Sequence, residues 1–181
     1  MKIKLLSGKN MKINSRKEAP RELKVLLVGQ PGKKQSEMKS SLTGLDFVEI
    51  LEVVPGREEA LNIVHNQKPN LVLMDHNLPE LSGLETLKLI KNQHPNVKVI
   101  LLASKAEQYL IGQAIQDGAS GYIHKSEIPE VMQNCIELIR EGSTFFSRKI
   151  KKIIFNKLFR PGTSNKLNDK NVLINKANRD V

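Results

Sequence analysis

Asp75 closes the apolar run Leu71-Val72-Leu73-Met74, and Lys125 stands fifty residues later, after Tyr122-Ile123-His124. A carboxylate at the tip of a buried strand is an exposed nucleophile of the kind that forms aspartyl phosphates. A lysine beside it favours the ionised form that attacks. A helix cap or loop carboxylate is the ordinary reading of such an Asp taken alone. A second stretch, VLLVGQPGKK at 25–34, invites a phosphate-loop reading. The Walker loop needs four residues between its glycines, then Lys and Ser or Thr, so that successive N–H groups wrap the phosphates. Here two residues separate Gly29 from Gly32, Pro31 removes one N–H, and Lys34 follows Lys33 where a Mg²⁺-binding hydroxyl is required. The dinucleotide fingerprint G-x-G-x-x-G is absent too, so no nucleotide-binding loop is expected. His65, His76, His94 and His124 lack metal-ligand spacing, although His76 and His124 flank the site positions. Cys135 lies on an apolar helical stripe and is expected to be a core thiol.

The elements that must position these groups alternate between residues 24 and 140. KVLLVG (24–29), FVEILEVV (47–54), NLVLMD (70–75), VKVILLA (97–103) and SGYIH (120–124) read as strands. Helical periodicity separates them. Residues 57–67 place Ala60, Leu61 and Val64 on one face, and 83–93 place Leu84, Leu87 and Ile90 or Leu89 together. Residues 106–118 group Leu110, Ile111, Ala114 and Ile115, with Gly118 as the expected C-cap. Residues 128–142 carry Pro129 in the first turn and Val131, Met132, Cys135, Ile136 and Ile139 on one stripe. The helix at 33–43 is the weakest, with only Met38 and Leu42 to bury. Five strands alternating with five helices predict an α/β fold, a doubly wound five-stranded parallel sheet with helices on both faces. Functional groups in such sheets lie at the carboxyl ends of the strands. The positions to weigh are therefore Gly29, Gln30, Asp75, Ala103, Ser104, His124 and Lys125.

The chain has 181 residues, enough for one core of ordinary size and a short extra segment. No apolar run approaches 18 residues, and the first 24 residues lack a long apolar stretch, so neither a membrane span nor a secretory signal is expected. The lone Cys135 forms no intrachain disulfide and fits a reducing cytoplasm. The net charge of +10 is uneven, with +5 in residues 1–23, −2 in 24–140 and +7 in 141–181. Basic ends suit nucleic acid or acidic partners, but they serve equally as solvated tails. The nearby aromatics Phe145, Phe146, Phe155 and Phe159 are read as helix packing.

On the two site stretches the chain resembles a response-regulator receiver domain of two-component signalling, in its LuxR-type branch. D-x-x-L-P-x-x-S-G at 75–83 is similar to the family's phosphoacceptor motif, and DGASGYIHKS at 117–126 to that branch's fifth-strand motif. The resemblance covers 24–140 and, more loosely, 141–174. It implies the flavodoxin-like receiver fold, Asp75 as phosphoacceptor, Lys125 as site lysine and Tyr122 as the rotating switch aromatic. It also implies Mg²⁺, held by two acids at the end of the first strand, and a Thr or Ser at the end of the fourth. Those positions fall on Gly29, Gln30 and Ala103, so three of the five site positions are degenerate. Phosphoryl transfer to a carboxylate brings anions together, and Mg²⁺ offsets the repulsion. With Asp75 as the one carboxylate, Mg²⁺-dependent phosphorylation is expected to be lost or severely weakened. Lys33 and Lys34 are read chiefly as solvated charge that could partly replace the missing cation.

Four segments are expected: a basic extension (1–23), a receiver-like domain (24–141), a linker helix (142–160) and a basic tail (161–181) resembling the start of a helix-turn-helix. LuxR-type regulators continue into that module, whose recognition helix reads the major groove. No intact module is expected before Val181. The predicted function is that of a pseudo-receiver of a two-component phosphorelay. It is no enzyme, carries no catalytic residue, metal or cofactor, and is cytoplasmic. It is expected to act through a protein partner or a homodimer, with a sensor histidine kinase as a further implied partner and no membrane. The contact is expected on the face of the fourth helix, fifth strand and fifth helix, or on the first and fifth helices. The alternative is a truncated LuxR-type transcriptional regulator whose basic tail binds DNA weakly, without sequence preference and in a salt-dependent way.

Overall fold

The computed structural model describes residues 22–79 and 82–159. Strands and helices alternate as β1 (Leu23–Val28), α1 (Lys33–Thr43), β2 (Val48–Val54), α2 (Arg57–Gln67), β3 (Leu71–Asp75), α3 (Gly83–Gln93), β4 (Lys98–Ala103), α4 (Gln108–Gln116), β5 (Gly121–His124), α5 (Ile128–Arg140), β6 (Phe145–Phe146) and α6 (Arg148–Phe159). A 3-10 turn, Lys125–Glu127, joins β5 to α5. The strands are all parallel, in the order β2-β1-β3-β4-β5-β6.

Successive side chains of a strand point to opposite faces. Val25, Leu27, Leu71, Leu73, Ile100, Leu102 and Ile123 pack with Met38 and Leu42 of α1 and with Ile128, Met132, Cys135, Ile136 and Ile139 of α5. Leu26, Val28, Val72, Met74, Val99, Leu101, Ala103 and Tyr122 pack on the other face with α2, α3, α4 and Ile150 of α6. This is the expected doubly wound sheet. The weakly patterned α1 forms because Met38 and Leu42, 3% and 1% exposed, are enough to dock it beside α5.

The sheet has six strands where the sequence predicts five. Phe145 and Phe146, read as helix packing, are extended and pair with Gly121 and Tyr122. The reason lies at the β5 edge. Phe145 N–H donates to Ser120 O at 2.9 Å and Ser147 N–H to Tyr122 O at 3.1 Å, satisfying carbonyls that an edge strand would leave open. The linker helix expected over 142–160 therefore starts only at Arg148. It lies against α4 and β5, with Ile150 buried and Ile153 and Ile154 partly so. That placement covers part of the α4–β5 face expected to meet a partner.

Other boundaries follow local chemistry. α2 and α3 run as expected, although Ile63 takes the inward place assigned to Leu61. α4 is shorter than 106–118, burying Ile111 and Ala114 while Ile115 remains 44% exposed. Gly118 ends it as expected. With φ +86°, its N–H bonds Ile115 O at 3.1 Å and the Ala119 N–H bonds Ala114 O at 2.8 Å. This is a left-handed C-cap that a side chain would strain. The basic extension up to residue 21 and the tail from residue 160 lie outside the described residues.

Candidate functional site

The carboxyl ends of β1, β3 and β5 bring Asp75 and Lys125 together. The Lys125 ammonium donates to Asp75 Oδ2. The Asn77 N–H donates to Asp75 Oδ1 at 2.9 Å, so both carboxylate oxygens have partners. The two side chains keep 17% and 15% of their surface, which makes this a largely desolvated pair. Ser82, Gly83 and His76 build its support. Ser82 caps α3 in a reciprocal box with Glu85. Gly83 allows α3 to start directly against the end of β3: a Cβ there would stand 2.5 Å from Asp75 O and 3.0 Å from His76 Cα. The Gly83 N–H donates to His76 O at 2.8 Å, and the His76 N–H to Leu102 O at 2.8 Å. The carboxylate is thus fixed by a strand, a capped helix and two short backbone bonds.

Gly29 and Gln30 stand beside Asp75 at the end of β1. Gln30 turns away, its Nε2 donating to Pro55 O at 3.3 Å. The Gly29 carbonyl accepts from Gln35 Nε2 at 2.9 Å, which pins the loop to α1. Ala103 is fully buried on the opposite sheet face with Tyr122, and the neighbouring Ser104 is exposed. Tyr122 is fully buried, and its hydroxyl finds no hydrogen-bond partner among the described residues. Burial, reinforced by the charge of Asp75, pushes its phenol up to about 12. His76, 7% exposed, lies 6.2 Å from the Tyr122 ring and has an unpartnered Nδ1. Burial lowers its pKa. The Asp75 charge opposes that shift and the Lys125 charge adds to it. The sequence singles out His76 only by its place next to Asp75.

Glu127 is a site residue that sequence reasoning missed. It is 8% exposed. Its carboxylate accepts from Ser147 Oγ at 2.5 Å and from the Lys149 N–H at 3.2 Å. It therefore caps α6, where unpaired N–H groups and the helix dipole favour an anion. Ser147 Oγ in turn accepts from the His124 N–H at 3.1 Å, and Lys149 Nζ donates to Ser126 Oγ at 2.7 Å. The turn that carries Lys125 is thus bonded to the first turn of α6. The available signal was Ser147 immediately before a basic-apolar helical run, a cap position that needs a partner.

The family model of the response regulator receiver domain matches residues 25–137. The chain belongs to the response-regulator receiver family. Among relatives, the transcriptional regulatory protein MctR of Rhizobium johnstonii is 29% identical over 126 residues, covering 70% of this chain and 59% of that protein. The response regulator GacA of Pseudomonas syringae is 28% identical over 143 residues, covering 79% of this chain and 67% of that protein. The transcriptional activator protein ExaE of Pseudomonas putida is 32% identical over 107 residues, 59% of this chain and 50% of that protein. The chain thus spans between half and two thirds of the length of these curated relatives. Among solved structures, a LuxR-family two-component response regulator from Aurantimonas sp. superposes with a TM-score of 0.72 at 21% identity, covering 77% of this chain and 99% of that one. The isolated receiver domain of RcsB from Salmonella enterica serovar Typhimurium, in the presence of BeF₃⁻, gives 0.69 at 14% identity, covering 74% and 99%.

This receiver's residues do not fit the Mg²⁺ its family implies. Mg²⁺ takes six oxygen ligands in near-octahedral geometry, anchored by one or two carboxylates with waters and phosphate oxygens completing the shell. Among the described residues Asp75 is the one carboxylate at these strand ends, and Lys125 already occupies one of its oxygens. Gly29 brings no side chain, Gln30 points elsewhere, and no group of three or more His, Cys, Asp or Glu able to hold a metal occurs among the described residues.

Proposed function

We propose that this receiver domain is a pseudo-receiver that works by protein–protein association without Mg²⁺-dependent phosphorylation of Asp75. The observation that carries this reading is the Asp75–Lys125 pair, a carboxylate bonded to a lysine with no second acid beside it among the described residues. A phosphoryl donor approaching Asp75 would meet its negative charge without a metal to offset it. Ala103 offers no hydroxyl to a phosphate, and Tyr122 is already fully buried. The domain thereby holds one arrangement of its switch residues and binds a protein partner, or a second copy of itself, in that arrangement. It performs no chemistry of its own and works in the cytoplasm. α6 lies over α4 and β5 and so covers part of one of the two expected contact faces. The test is incubation with acetyl phosphate and Mg²⁺ followed by intact-mass measurement. No adduct is expected. A stoichiometric phosphoryl adduct, absent from Asp75→Asn, would overturn the reading.

A second reading has its own support in the +7 charge of residues 141–181 and in relatives named as transcriptional regulators. In it the basic tail gives salt-dependent, sequence-independent DNA affinity. A gel shift abolished by moderate salt and by deletion of residues 160–181 would favour this reading. Equal retardation of the shortened chain would count against it.

A further inference from the structure

The acids missing from the end of β1 leave a hollow of about 310 Å³ at the mouth of the sheet, between β1, β3 and the start of α1. By liquid volume it has room for about ten waters. It lies at the low end of the size range of small-molecule sites, about 300–1,000 Å³. The hollow persists because nothing fills it. Gln30 is drawn off to Pro55 O, and a Cβ on Gly29 would stand beside the carboxylate, 3.2 Å from Asp75 Cβ.

The charge around it has the opposite sign to that of a metal site. Among the described residues, three lysines (Lys33, Lys34 and Lys125) and one carboxylate (Asp75) line it. Lys125 is bonded to Asp75, and Lys34 to Glu37 at 2.6 Å. Lys33 forms no ion pair among the described residues. The rest of the wall is largely apolar, including the side chains of Met38 and Ile128. Apolar walls with a few placed charges are the usual make-up of a site for a small organic ligand.

We propose that this hollow binds a compact organic anion, a carboxylate on an apolar body, with the anion at Lys33 and the body against Met38 and Ile128. The proposal rests on the reading that Asp75 stays unphosphorylated and metal-free. A bare inorganic anion would leave the apolar wall wet, and a neutral apolar molecule would leave Lys33 unmatched, so both bind more weakly. The ligand would replace the phosphoryl group as the occupant of the site.

The test is ¹H–¹⁵N NMR of the full chain titrated separately with sodium hexanoate, 1-hexanol, sodium acetate and Mg²⁺ with beryllofluoride. Hexanoate is expected to shift the amides of Gly29, Gly32 and Gln35 saturably, with an affinity about tenfold above hexanol or acetate. Lys33→Gln, at an exposed position, is expected to weaken it by about fivefold, the upper range for a charge contact at an open rim. Gly29→Asp/Gln30→Asp is expected to abolish hexanoate binding. Absence of saturable hexanoate shifts overturns the proposal and leaves the pseudo-receiver reading standing. Equal binding of hexanol or of acetate overturns it as well, by removing the role of the charge or of the apolar body. Beryllofluoride shifts at the same amides that vanish in Asp75→Asn would instead overturn the pseudo-receiver reading, and with it the premise of this site.

Discussion

Replacing Lys125 by Met removes the one cation that bonds Asp75 among the described residues, while keeping most of its apolar stem. Breaking a fully buried ion pair from one side costs about 3–5 kcal/mol, whereas an exposed pair is worth about 0–1 kcal/mol. With 17% and 15% of the side-chain surfaces remaining, this pair lies toward the buried limit. The Asn77 N–H still holds Oδ1 in the variant, at 2.9 Å, and softens the loss. A cost of about 2–3 kcal/mol follows, or about 6–9 °C in Tm for a domain of this size. Asp75→Asn/Lys125→Met, which leaves no unpaired charge, should recover at least about half of it, because replacing both partners avoids the desolvated charge. Urea unfolding followed by circular dichroism measures all three free energies. A Lys125→Met stability within about 0.5 kcal/mol of the parent, the range of an ordinary surface change, would refute the reasoning. So would a double variant no more stable than the single one.

Tyr122→Phe deletes a buried hydroxyl with no partner among the described residues, so it should leave stability unchanged or raise it by up to about 1 kcal/mol. Because folding raises that phenol to about 12, its stabilising contribution is complete below pH 10 and is lost as pH rises toward 12. Urea midpoints taken from pH 9 to 12 should therefore fall less steeply in Tyr122→Phe. His76 shifts the other way, since its folded pKa is lowered, and acidification below its ordinary pKa of 6.5 should destabilise the parent more than His76→Gln. Glu127→Ala removes a buried cap from α6 and should cost about 1–3 kcal/mol. Hydrogen exchange of residues 150–156 should accelerate in that variant. Gly83→Ala forces a methyl to within 2.5 Å of Asp75 O and should destabilise by about 1–3 kcal/mol, measurable by the same urea assay.

Much of this fold is legible in the sequence where one local rule decides. The Ser82–Glu85 capping box sets the start of α3, and Gly118 sets the end of α4. The apolar run before Asp75 reads as a strand because both of its faces are buried. Legibility fails where tertiary contacts decide between conformations. Phe145 and Phe146 suit a helical stripe or a strand equally well, and the open carbonyls of β5 select the strand. Leu61 and Ile63 are both apolar neighbours of the α2 stripe, and only the folded structure distinguishes them, burying Ile63 and leaving Leu61 partly exposed. Glu127 could not be found by spacing, because its partners Ser147 and Lys149 lie twenty or more residues away and meet it only once β6 has formed. At the site, Asp75 and Lys125 were identifiable because a strand tip and a motif spacing mark them. The direction of the Gln30 amide, which bonds Pro55 O, has no sequence signature.

The central claim is that Lys125, and no metal, holds the charge of Asp75. The most direct measurement is the thermal midpoint of the full chain with Mg²⁺ and beryllofluoride, run beside Asp75→Asn. The midpoint is predicted to stay where it is without them. An Asp75-dependent rise of several degrees would mean that a metal and a phosphoryl mimic bind firmly despite Gly29, Gln30 and Ala103, and would contradict the claim.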